Sequence, residues 1–120
     1  MKTRNIKQFK ELILRYESIE LAEIVESEGD PEKLTGFGRK DQCTLCTALK
    51  GFPGDSHNDM CEACIWHRIV PRYLACRSDK NAKTYSNIGN AFTSQMLLKA
   101  FKARAKYMRS VLKKLRIKQP

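Results

Sequence analysis

Apolar residues recur at spacings of three and four near both ends of this chain. From Asn5 to Glu28, the residues Ile6, Phe9, Leu12, Ile13, Tyr16, Ile19, Ile24 and Val25 form the stripe of an amphipathic helix, predicted over 5–28. The run "EGDP" closes it, because Gly29 suits a left-handed C-terminal cap and Pro31 cannot continue the hydrogen-bond ladder. A second stripe of Leu97, Phe101, Met108, Val111, Leu112 and Leu115, interleaved with Ala100, Ala103 and Ala105, predicts a helix over 90–117 that opens within "TYSNIGNAFTSQ". The segment "PEKLTGFGRKDQ" reads as a flexible connection. Its Gly36 and Gly38 follow no strand and belong to no complete phosphate-binding fingerprint.

The centre, 41–77, has a different pattern. In "CTLCTALKGFPGDSHNDMCEAC" two C-x2-C pairs, Cys43 with Cys46 and Cys61 with Cys64, are separated by fourteen residues. This is one short of the common zinc-ribbon interval of about fifteen to twenty. Gly51, Pro53 and Gly54 supply a turn. In "HNDMCEACIWHRIV" Asp59 and Glu62 stand at capping-box spacing, which predicts a short helix with Cys61 and Cys64 on one face of its first turns. Free N–H groups at such a terminus favour thiolate over thiol. A knuckle, a turn and a helix carrying the second pair make, by analogy, the treble-clef arrangement of structural zinc sites. The fold class expected is therefore mainly α: two long helices flanking a small zinc-knuckle or treble-clef-like centre with a short helix, in one domain.

Five cysteines, an odd number, argue for one Zn2+ with a thiol left over rather than for a disulfide framework. Cys43, Cys46, Cys61 and Cys64 are the simplest ligand set, with Cys76 in place of Cys61 as the alternative; His57 and His67 are nearby. Four thiolates leave no open position for substrate, so the zinc is expected to be structural and no residue is assigned as catalytic. No apolar run reaches eighteen residues and "MKTRNIKQFKELI" has no secretory apolar core, so the expected setting is a cytoplasm, without membrane partners.

The formal charge of +10 is unevenly placed. Eight bases balance eight acids up to Lys40, four bases meet five acids from Asp41 to Asp79, and from Lys80 onward there are eleven bases and no acid. Lys99, Lys102, Arg104, Lys106, Arg109, Lys113, Lys114, Arg116 and Lys118 crowd the last helix, which suits contact with the phosphates of a nucleic acid, Tyr85 and Tyr107 adding stacking. The competing explanation is a solvated face partly paired with the seven acids from Glu17 to Glu32, which cannot neutralise all eleven bases.

The order "CTLC", "CEACIW", a lone cysteine in "PRYLACRSD", then "TYSNIGNAF" and a basic helix resembles short, uncharacterised cysteine-rich proteins of bacteriophages, over about two fifths of the chain from Cys43 to Phe92. The resemblance implies a zinc-binding protein of viral or mobile-element origin, placed in a host cytoplasm, and transfers no activity. The expected function is a non-enzymatic zinc-binding regulatory or accessory factor that contacts nucleic acid. The alternative is a phage-type effector that binds a host protein, or a homodimer formed through a leftover apolar face. An HNH-like nuclease, suggested by "SHND", ranks below both, because His57 and His67 do not make that family's paired array.

Overall fold

The computed structural model of the chain describes residues 3–35, 64–69 and 79–120. Those residues are mainly helical and contain no strand: α1 (Ile6–Ser18), α2 (Leu21–Glu26), α3 (Pro31–Thr35), a 3-10 helix (Ile65–Arg68), α4 (Asp79–Gly89) and α5 (Ser94–Lys114). The longest, α5, is the spine against which α1, α2 and α4 pack.

The first stripe buries Phe9, Leu12, Ile13 and Tyr16 from α1 and Ile24 from α2, but it is divided rather than continuous over 5–28. Ile19 leaves the helix in an extended conformation (φ −66°, ψ 129°) and is itself 1% exposed. Helical spacing supplies the reason. An unbroken helix would carry Glu20 and Glu23, at i+4 and i+7 from Tyr16, onto the packed face. The break lets Ile19 and Ile24 go inward while Glu20 stays exposed and Glu23 pairs with Arg15 at 2.8 Å.

The end of α2 is a Schellman motif: the Gly29 N–H donates to the Ile24 carbonyl (2.9 Å) and the Glu28 N–H to the Val25 carbonyl (3.1 Å). Glu28 (φ 58°) and Gly29 (φ 71°) are both left-handed. The chain then enters α3, where a connection was expected. Pro31 occupies its first position, where a missing N–H costs nothing, and Arg15 Nε ties it back to α1 through the Leu34 carbonyl at 2.7 Å. The last helix is also shorter than 90–117. Thr93 caps it, its side chain accepting the Met96 N–H at 3.1 Å, and the preceding residues form the separate α4.

Contacts along α5 run opposite to those along the N-terminal segment. Phe9 packs edge-on to Trp66 and Tyr107 stacks on it, Tyr16 stacks on Phe101 at 5.5 Å, and Gly29 lies against Leu97. The N-terminal helices and α5 are thus antiparallel. Ile65 (0% exposed) and Trp66 (3%) are buried with them, so the described stretch that starts at Cys64 shares the same core.

Candidate functional site: Cys64 and the two faces of the cationic helix

Cys64 stands in extended conformation (φ −83°, ψ 142°) immediately before the 3-10 helix, not one turn inside a helix as the capping-box spacing suggested. It is buried, and Asn5 Nδ2 donates to its Sγ at 3.2 Å. On its other side the same Asn5 accepts the Ile65 N–H through Oδ1 at 2.8 Å. Cys43, Cys46, Cys61, Cys76, His57 and the cap residues Asp59 and Glu62 lie outside the described residues. Among the described residues no group of three or more His, Cys, Asp or Glu side chains is placed to hold a metal. Cys64 has the chemistry of a thiolate ligand: its sulfur is soft and serves here as a hydrogen-bond acceptor. His67 is half-buried within the 3-10 helix.

The nine bases expected on the last helix separate into three environments, Arg116 and Lys118 lying beyond its end. Lys99, Lys102, Lys106, Lys113, Lys114, Arg116 and Lys118 are exposed. Within these, Lys99, Lys102, Lys106 and Lys113 keep the three-and-four spacing of one helix face. That face lies away from the buried Leu97, Phe101, Ala105, Met108 and Leu112.

Arg109 is half-buried and bound bidentately to Glu17, Nε to Oε2 at 2.5 Å and Nη2 to Oε1 at 2.7 Å, while Lys102 donates to the Glu17 carbonyl. The Arg109 hydrogen bonds hold the Glu17 carboxyl below its usual value, with the charges of Arg109 and Lys102 acting in the same direction. Glu17 in turn raises Arg109. This pair ties α1 to α5 at the edge of the cationic face.

Arg104 departs from the sequence expectation. It is 1% exposed and cannot belong to an outward cationic surface. Its guanidinium carbon lies 5.0 Å from the Trp66 ring centroid, 5.9 Å from that of Tyr85 and 6.0 Å from that of Tyr107, and Nη1 donates to Thr84 Oγ1 at 2.8 Å. Ring faces attract a desolvated cation by about 2 kcal/mol or more, which offsets part of the burial cost. Tyr85 and Tyr107, expected to stack on bases, are instead half-buried around this arginine. Charge counting missed Arg104; periodicity carried the signal, because it lies three residues after Phe101 and four before Met108 on the apolar stripe.

A second surface lies near the start of α5. A groove of about 340 Å³ is lined by Ile24, Val25, Gly29, Phe92 and Leu97 among others, with Val25 63% and Phe92 93% exposed. No protein-family model matches the chain, and neither a characterised protein nor a solved structure shows significant similarity to it.

Proposed function

We propose that this chain is a non-enzymatic, zinc-braced factor that contacts nucleic acid through the exposed face of α5. Cys43, Cys46, Cys61 and Cys64 hold one structural Zn2+ in this reading, with Cys76 the alternative ligand. The ion contributes apparent binding energy on the order of 10–16 kcal/mol to the fold. The bacteriophage resemblance of the cysteine pattern is taken with it, as a proposed viral or mobile-element origin.

The observation that carries the reading is the stripe Lys99, Lys102, Lys106 and Lys113, exposed on a helix whose opposite face is locked into the core. A rigid row of ammonium groups neutralises successive phosphates and releases their counterions, giving affinity that depends on salt and little on sequence. Among the described residues the ion pairs join Glu23 to Arg15 and Glu17 to Arg109, and within the row Lys102 alone is seen to be engaged by an α1 residue, through the Glu17 carbonyl.

The test is binding of labelled duplex and single-stranded oligonucleotides over a salt series. Four phosphate contacts predict a slope of log K against log salt of about −3.6 for duplex DNA, by the rule of about −0.9 per contact. Lys106→Glu with Lys113→Glu should flatten that slope and weaken binding, with stability changed by less than about 1 kcal/mol. An unchanged slope would exclude this face.

A second reading, an effector that docks on a host protein, is favoured by the groove beside Val25 and Phe92. It predicts a stoichiometric protein complex that persists after nuclease treatment and is lost in Phe92→Ser.

A further inference from the structure

Asn5 occupies the N-cap position of α1, where an asparagine ordinarily turns its side-chain oxygen onto the first free N–H groups of its own helix. Here the side chain makes no cap hydrogen bond. It is fully buried and reaches across 59 residues of sequence to Cys64 and 60 to Ile65. The orientation of its amide follows from chemistry. The Ile65 N–H can only donate, so the atom 2.8 Å from it is Oδ1, and the NH2 group therefore faces the Cys64 sulfur at 3.2 Å. Both bonds are made by one planar group, so the sulfur and the backbone that follows it are fixed relative to each other and to the start of α1.

We infer that Asn5 is a positioning residue for the metal centre: its NH2 donates to the Cys64 thiolate and sets the direction from which that sulfur reaches zinc. The inference rests on the zinc reading above and adds to it a residue that no cysteine spacing identifies. An N–H donor fits this role because a metal-bound thiolate carries negative charge and takes hydrogen bonds only as an acceptor. Outer partners of this kind orient metal ligands, and their loss typically weakens metal binding by about 10- to 100-fold. The contact also gives the metal a mechanical route to the cationic helix. Asn5 opens α1, and α1 holds α5 through the Glu17–Arg109 pair at 2.5 Å.

The test is zinc affinity of the full chain, measured by competition with a chromophoric chelator, for the wild type and for Asn5→Asp. This variant keeps the shape and the acceptor for the Ile65 N–H but replaces the donor with a carboxylate oxygen facing sulfur. The expected result is a zinc affinity lower by about 10- to 100-fold, with a displaced sulfur-to-metal charge-transfer band in the cobalt(II)-loaded protein. A merely structural role would not move that band. If Asn5→Asp loses its helical circular dichroism, Asn5→Ser is read instead; its one hydroxyl cannot serve both partners, and a weaker affinity is again expected. Wild-type affinity and an unshifted cobalt spectrum in the folded variant would overturn the role of Asn5 and leave the zinc reading standing. A wild-type chain that takes up no zinc would overturn both.

Discussion

At the scale of single residues, Arg104 and Lys106 are two positions apart and have opposite fates. Arg104 is enclosed by Trp66, Tyr85, Tyr107 and Thr84, whereas Lys106 points to solvent. Truncating Arg104 removes both the cation and the methylene packing of a fully buried side chain. Arg104→Ala should therefore lower unfolding free energy by about 3 kcal/mol in denaturant titration, as large core truncations do; a loss below about 1 kcal/mol, the scale of exposed changes, would contradict the enclosure. Glu17 gives a pH-dependent test. Its folded-state carboxyl lies below the usual 4.5, so its pairing with Arg109 stabilises the protein above that value and is lost as pH falls through the lower, folded-state value. Because the pair is about one-third exposed, the contribution is less than about 1 kcal/mol. Glu17→Gln should lower the melting temperature slightly at neutral pH, where the pair is charged, and converge on the wild type in acid, so that this part of the acid-side decline disappears. Asn5 marks the limit of residue-level reading. In sequence an asparagine before an apolar stripe reads as a local cap, and nothing local announces a partner 59 residues away.

At the scale of elements, the apolar stripes were legible and their interruptions were not. Ile6 to Ile24 and Leu97 to Leu112 are periodic because each faces one core, and that core is present. The break at Ile19–Glu20 follows from which side chains a straight helix would bury, a tertiary matter that a stripe with tolerant spacing conceals. The boundary between α4 and α5 had a local signal, Gly89 and Asn90 followed by the capping Thr93, within a segment read as the opening of a single helix. The end of α5 repeats the Schellman geometry of α2: the Ile117 N–H donates to the Leu112 carbonyl at 2.9 Å and the Arg116 N–H to the Lys113 carbonyl at 3.1 Å. This places Arg116 at φ 58°, in the region where a side chain crowds its own backbone and glycine does not. Arg116→Gly should raise stability by about 1 kcal/mol, measured by thermal unfolding. A destabilised variant would mean that the Arg116 side chain contributes more to the fold than its backbone conformation costs.

At the scale of the whole molecule, the antiparallel course of the N-terminal helices and α5 brings Lys7 and Lys10, near the start of α1, to the level of the second half of α5. The end of α2 lies beside the start of α5, where Glu28 lines the groove with Ser94 and Leu97. The charge asymmetry of the sequence thus becomes an asymmetry in space, with the exposed Phe92 and Val25 at the acidic end. Trp66 contacts both Phe9 and Tyr107, so Ile65 and Trp66, which follow the last cysteine of the paired motif, belong to the same core as the cationic helix. In the account proposed here the metal and the binding face are one mechanical unit. The most direct measurement is made on protein purified without chelator: zinc per chain by elemental analysis, with absorbance at 260 and 280 nm before and after a high-salt wash. A zinc-braced nucleic-acid-binding protein should show one zinc per chain and nucleic acid that the wash removes. A folded chain that contains no zinc and carries no polynucleotide would contradict that reading.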